Sequence, residues 1–147
     1  MNNKKYDKLK LESQLCFPLY AVSKEVVRRY KPFLDEINLT YTQYITMMVL
    51  WEEREIRVKD LGAKLFLDSG TLTPVLNGLE KRGYAARRRS ESDHRDVYAV
   101  LTEEGQAIRD KAAEIPDKVG SCIPLEPEKA LQLYTILREM MEDLKND

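Results

Sequence analysis

A mainly α-helical fold carrying one small β-wing is what this sequence predicts, on three observations. Apolar residues recur at helical spacing along most of the chain. Two short runs, Tyr84 to Arg89 and Val97 to Leu101, read instead as strands, and the polar stretch Ser90 to Asp96 between them reads as a hairpin turn. Directly before the first strand stands a capped helix. Asp68, Ser69 and Thr71 offer side-chain oxygens to the free amides of a helix start, while Leu72, Val75, Leu76 and Leu79 form one apolar stripe. Gly83 supplies the stop, where a left-handed residue is wanted. A helix suited to a major groove, followed by a basic hairpin, is the layout of a winged helix-turn-helix. Its partner is double-stranded DNA.

The remaining elements follow in chain order. A first long helix is expected from about Asp7 to about Ile37, with Leu11, Leu15, Leu19, Val22, Val26 and Tyr30 on one side. Pro32 should bend its last turns, and Pro18 removes the amide that would bond back to Gln14. Thr40 and Gln43 make a capping box for a second helix through Ile45, Met48, Val49 and Trp51. A short third helix covers about Val58 to Phe66, with Leu61 and Leu65 inward, and pairs with the helix after Asp68. After the wing, Thr102 caps a fifth helix from about Glu103 to about Val119, bent near Pro116. Pro124 and Pro127 bracket a linker. The last helix, about Glu126 to Lys145, carries Ala130, Leu133, Tyr134, Leu137, Met140, Met141 and Leu144 in heptad-like spacing.

The terminal helices have no obvious place to bury these stripes against a small core, so a second copy is expected to cover them. Residues 1–38 and 103–147 are accordingly read as dimerisation helices, and 39–102 as the DNA-binding domain. A symmetric homodimer also sets two reading helices about one helical turn apart, which suits a pseudopalindromic operator.

Composition narrows the functional classes. A length of 147 residues allows one domain with helical extensions. The polar start MNNKKYDKLKLES and the lack of any long apolar run lead to the expectation of a soluble, cytoplasmic chain with no membrane partner. A net charge of -1 excludes a uniformly basic binder, so attraction to phosphate must be local. From Lys81 to Arg95 there are six basic residues against two acidic ones. With two distant cysteines, Cys16 and Cys122, and one histidine, neither a metal nor another cofactor is expected. A structural disulfide does not suit that compartment, which leaves the cysteines as buried hydrophobes or reactive thiols.

At this point the residues resemble a known family. The block LTEEG, after a hairpin containing SESDHRD, is similar to the wing of the MarR regulators, with Asp93 and Arg95 at the family's wing positions. LESQLCFPLY, RRYKPFL, LTYTQY, LW and FLDSGTLTP resemble the organic-hydroperoxide-sensing branch, the OhrR repressors and their SarZ-like relatives. The likeness covers about Leu11 to Val119. It implies that Cys16 is the peroxide sensor and that Tyr30 and Tyr41 hydrogen-bond its sulfur across the dimer interface. It also implies two fates for the oxidised sulfur. In two-cysteine members a second cysteine, here Cys122, resolves it as a disulfide between subunits; in one-cysteine members a small cellular thiol does so.

The chemistry of the residues bears on the same reading. A thiolate is the species that attacks a peroxide oxygen. No lysine or arginine adjoins Cys16, so phenol hydroxyls are the expected stabilisers of its anion. Tyr30 lies fourteen residues beyond Cys16, ~21 Å along a straight helix, and so would have to come from the other subunit. Tyr20, one turn on, is the nearest phenol of the same helix. Leu15, Phe17 and Leu19 would admit an alkyl or aryl hydroperoxide more readily than hydrogen peroxide. Spacing alone leaves an inert core thiol as an alternative.

On DNA, Ser69, Thr71 and Thr73 are expected at phosphates or base edges, and Arg95 in the minor groove. Arg87, Arg88 and Arg89 are candidates for backbone contacts, at most two on one face, while His94 reads as a solvated turn residue. Asn77 and Gly78 stand where relatives commonly carry basic residues. Asn77 can still read adenine through a bidentate pair, and Gly78 costs the helix about 1 kcal/mol against Ala. The competing reading is a MarR-type regulator gated by a non-covalent aromatic ligand, with Cys16 structural. A peroxide-reducing enzyme fits less well, because no His or Arg adjoins Cys16 and catalysis has no use for a wing.

Overall fold

The computed structural model describes residues 4–145. The expected first long helix is broken into pieces: α1 at Lys4–Asp7, a 3₁₀ turn at Leu11–Ser13 and α2 at Cys16–Asp35. The cause is local. Lys10 and Gln14 are extended, and the Gln14 side-chain amide donates to the carbonyls of Lys8 and Lys10, acceptors that a continuous helix would use. Pro18 therefore falls in the first turn of α2. Amides there have no intrahelical acceptor, so the proline takes no bond from the helix and the expected disruption does not arise.

The next elements form as the pattern predicts. Helix α3, Tyr41–Glu53, opens with a complete capping box: Thr40 Oγ1 accepts from the Gln43 amide at 3.3 Å, and Gln43 Oε1 accepts from the Thr40 amide at 3.0 Å. Helix α4, Val58–Leu65, ends at Phe66 in the left-handed region, and α5, Ser69–Lys81, starts on Asp68, whose carboxylate accepts from the Thr71 amide at 2.7 Å. Gly83, with φ +76°, then turns the chain into the wing.

The wing strands are β2, Ala85–Arg89, and β3, Val97–Leu101; a three-residue strand β1, Glu55–Arg57, lies on the far side of β3. All pairings are antiparallel in the order β1-β3-β2, with Ile56 opposite Ala99 and Arg88 opposite Tyr98. Sequence patterning missed β1, which is too short to show alternation. The expected fifth helix is three short ones, α6 (Glu103–Ala107), α7 (Arg109–Ala113) and α8 (Ile115–Gly120), with breaks at Ile108 and Glu114. Pro116 lacks the amide that would bond to Ala112, which accounts for the second break; no proline stands beside the first. Helix α9, Pro127–Lys145, ends the described chain.

One core sits beneath the helix-turn-helix. Leu34, Ile37 and Leu39 close it from the end of α2, Tyr44, Met47, Leu50 and Trp51 from α3, and Leu61 from α4. The whole predicted stripe of α5 is buried in it as well. Trp51 donates its indole N–H to the Gly105 carbonyl at 2.9 Å, and Ile115 and Val119 pack α8 onto α2. Outside this core the chain is bare: α9 buries no residue, and Leu15 is 77% and Leu131 66% exposed.

Candidate nucleic-acid interface and thiol site

The outward surface of α5 follows from its buried one. With Leu72, Val75, Leu76 and Leu79 inward, a period of 3.6 residues turns Gly70, Pro74, Asn77 and Lys81 directly outward. Ser69, Thr71 and Thr73 are exposed at the helix's first turns. Between α4, the start of α5 and the wing tip runs a cleft of about 460 Å³ with Arg57, Lys59, Ser69 and Arg95 on its walls. Arg57 and Lys59 lie outside the basic run from Lys81 to Arg95; their signal in the sequence is positive charge at the start of the helix-turn-helix.

The wing is less free than its composition suggests. Arg87 forks onto both oxygens of Glu80, at 2.9 and 2.8 Å, and also donates to the Asn77 side-chain oxygen. Arg88, on the opposite face, pairs with Glu55 at 2.5 Å and lies over the Tyr98 ring at 5.1 Å. Arg95 and Asp93 pair at 3.2 Å, Arg95 remaining 91% exposed at the tip, and Arg57 pairs with Asp96 at 3.2 Å. Arg89 donates to the His94 carbonyl and, among the described residues, meets no carboxylate. The local excess of positive charge read from Lys81 to Arg95 is thus reduced by Glu80 and Glu55, both outside that window. Arg87 and Arg88, two of the candidates for backbone contacts, are each ion-paired within the fold.

Cys16 is the first residue of α2 and is exposed. Leu15 offers it no side-chain cap, so the free amides of the helix start remain beside the sulfur. Phe17 and Leu19, expected to surround it, are themselves partly in solvent, and Tyr20 is exposed with the Lys24 ammonium 5.0 Å above its ring.

The two other predicted phenols come together elsewhere. The rings of Tyr30 and Tyr41 meet edge to face at 5.0 Å, and Tyr44 completes the cluster at 5.9 and 6.5 Å from them. Burial pushes all three phenols up, Tyr44 to about 12, so they stay protonated and able to donate at neutral pH. Since α2 is continuous from Cys16 to Asp35, Tyr30 stands ~21 Å along its axis from Cys16. One chain does not bring the sulfur and these phenols together.

Cys122, just beyond α8, is also exposed; its thiol donates to the Lys118 carbonyl at 3.4 Å. Arg29, held by Glu25, donates to the Cys122 carbonyl and so fastens this turn beside the Tyr30 end of α2. Hydrogen bonds from Arg28, which also pairs with Glu25, and then from Arg29 bring the Glu25 carboxyl down to about 2.

Residues 28–112 match the family described as transcriptional regulator SarA/Rot. The chain is 45% identical over 140 residues to the organic hydroperoxide resistance transcriptional regulator of Bacillus subtilis (strain 168), covering 95% of each. It is 42% identical over 131 residues to the HTH-type transcriptional regulator SarZ of Staphylococcus aureus (strain USA300), covering 89% of this chain and 88% of that one. It is also similar to AbfR of Staphylococcus epidermidis. Against reduced AbfR bound to DNA the TM-score is 0.80, with 34% identity and 97% of both chains covered. Against disulfide-formed AbfR it is 0.67, with 33% identity and 98% of both covered. No described helix is long and apolar enough to cross a membrane. These relatives are regulators of transcription rather than enzymes, and the chain belongs with them to the SarA/Rot family of MarR-type winged-helix transcriptional regulators, in the organic hydroperoxide resistance and SarZ branch.

Proposed function

We propose that this protein is a cytoplasmic, homodimeric regulator that binds a pseudopalindromic DNA operator while Cys16 is reduced and releases it when an organic hydroperoxide oxidises that thiol. Residues 39–102 form the reading head in this view, and the segments 1–38 and 103–147 the dimer. The observation that carries the proposal is the separation within one chain. An exposed thiol begins α2, while the protonated phenols of Tyr30 and Tyr41 cluster ~21 Å away at its other end. A second copy running antiparallel brings one chain's sulfur to the other's phenols, and covers the bare apolar residues of α2 and α9 at the same time.

That arrangement also selects the resolving thiol. Because Arg29, the residue before Tyr30, holds the Cys122 carbonyl, a sulfur brought to the partner's tyrosines is also brought toward the partner's Cys122. Within one chain the two cysteines are kept apart by most of α2, far beyond the Cα separation a disulfide tolerates. The chemistry then runs in two steps. The Cys16 thiolate attacks the peroxide oxygen, the O–O bond breaks, the alcohol leaves and a sulfenic acid remains. The Cys122 thiolate attacks that sulfur, water leaves, and two thiols have supplied the two electrons that reduced the peroxide. The relative AbfR has been solved both reduced on DNA and in a disulfide form, and this chain superposes better on the former.

In the DNA complex Ser69, Thr71 and Thr73 lie at the backbone or base edges, Asn77 faces the groove, and Arg95 enters the minor groove with Asp93 fixing its base. Arg89 tracks phosphate, while Arg87 and Arg88 act by shaping the wing.

The test is intact-mass analysis after cumene hydroperoxide, under reducing and non-reducing conditions, alongside operator binding. A covalent dimer, lost on reduction and absent in Cys16→Ser and Cys122→Ser, is expected, with Cys16→Ser staying on DNA. No mass change, or equal release of Cys16→Ser, would overturn the redox reading in favour of a non-covalent ligand.

A further inference from the structure

The Asn77 amide is not free to choose its base. It lies on the outward stripe of α5, exposed, with Glu80 one turn on and Arg87 reaching across from β2. Arg87 grips both Glu80 oxygens, and this half-buried bidentate pair fixes where the guanidinium sits. The same guanidinium donates to the Asn77 side-chain oxygen. A guanidinium has only donors, so the amide must turn its oxygen to Arg87 and its NH₂ away, toward whatever α5 faces.

An asparagine that reads adenine uses both halves of its amide, the oxygen accepting from N6 and the nitrogen donating to N7. Here the oxygen is drawn back against β2. The half that remains in the groove is a pure donor. Guanine answers a donor with two adjacent acceptors, O6 and N7, whereas adenine offers N7 alone and sets its N6 donor beside it.

We infer that Asn77, oriented by the Arg87–Glu80 pair, is a specificity-determining residue that selects guanine over adenine at one position in each operator half-site. Arg87 and Glu80 are positioning residues and need touch no DNA. The inference rests on the DNA-binding part of the proposal above and is independent of the redox part.

Selection of bound duplexes from a random-sequence library by the reduced full-length protein, followed by sequencing, tests it. Wild type should enrich guanine over adenine about tenfold at one symmetry-related position. Asn77→Ala should level that position alone, and Arg87→Met, which frees the amide to turn, should shift it to adenine. Asn77→Asp keeps the Arg87 contact but replaces the donor with an acceptor, and should shift the position to cytosine, whose N4 amino group donates. This variant serves if Arg87→Met does not fold. Base preferences unchanged by Asn77→Ala, adenine at that position in wild type, or guanine retained by Arg87→Met would each overturn the inference. Failure of wild type to enrich any sequence would overturn the DNA-binding reading and this inference with it.

Discussion

The Gln43 side-chain amide lies directly over the Cα of Gly78, so that even a methyl group there would overlap its nitrogen. The two residues join the start of α3, which carries Tyr41 of the aromatic cluster, to the reading helix α5. Gly78 is thus a close-approach position rather than a weak spot in α5.

Gly78→Ala sets two effects against each other. Alanine favours the helix by about 1 kcal/mol. Accommodating it pulls the Gln43 side chain off the Thr40 amide, losing a cap interaction of ~1 kcal/mol. Denaturant unfolding should therefore show a net change of no more than about 0.5 kcal/mol. In a Gln43→Ala background the same substitution should stabilise by about 1 kcal/mol. Equal changes in the two backgrounds would mean that the contact does not constrain α5.

Pro18 gives a second prediction, because its effect depends on where α2 begins. In a helix interior a proline costs ~3 kcal/mol, so replacing it should stabilise strongly. In the first turn of α2 it takes no hydrogen bond, and Pro18→Ala should change unfolding free energy by no more than about 0.5 kcal/mol. A gain of several kcal/mol would return the helix start to well before Cys16.

These two residues show what the sequence could and could not reveal. The Thr40–Gln43 box, the Asp68 cap and the stripe from Leu72 to Leu79 depend only on neighbours within a turn or two, and the structure has each as expected. The start of α2 was missed because apolar periodicity continues through a break made by the Gln14 side chain. The pairing of Arg87 with Glu80 and of Arg88 with Glu55 was missed for another reason. Strand register sets the second pair and the packing of β2 on α5 the first, and a charge count along the chain contains neither. The likeness to a family points to Cys16, Tyr30 and Tyr41, but Tyr44 joins the two tyrosines only once α2 packs on α3.

Arg29 offers a way to separate the two steps of the proposed oxidation. Its guanidinium holds the Cys122 carbonyl against α2, whereas Cys16 lies near the opposite end of that helix. Arg29→Ala should leave the rate of sulfenic acid formation at Cys16 unchanged while slowing the covalent dimer several-fold, since the resolving thiol is no longer held in place. Trapping the sulfenic acid with dimedone measures the first step, and non-reducing electrophoresis the second. Equal rates for both steps in the variant and wild type would show that Cys122 needs no such support.

The aromatic cluster predicts an alkaline limit to stability. Tyr44 is pushed up from 10.0 to about 12, first by burial and then by Tyr30 and Tyr41. Between those values the unfolded chain has released the proton and the folded chain still holds it. The unfolded state then binds fewer protons, and stability falls as pH rises. The contribution is complete below pH 10 and gone above about 12; two pKa units correspond to about 2–3 kcal/mol. Spectrophotometric titration of the folded protein should show a phenol component ionising near pH 12, lost in Tyr44→Phe, and that variant should lose stability less steeply above pH 10. Tyrosines that all ionise together near 10 while the protein remains folded would mean the cluster is open to water. Phenols so solvated would give a partner's sulfur anion no more than water does, and the case for Tyr30 and Tyr41 as its stabilisers would fail with the titration.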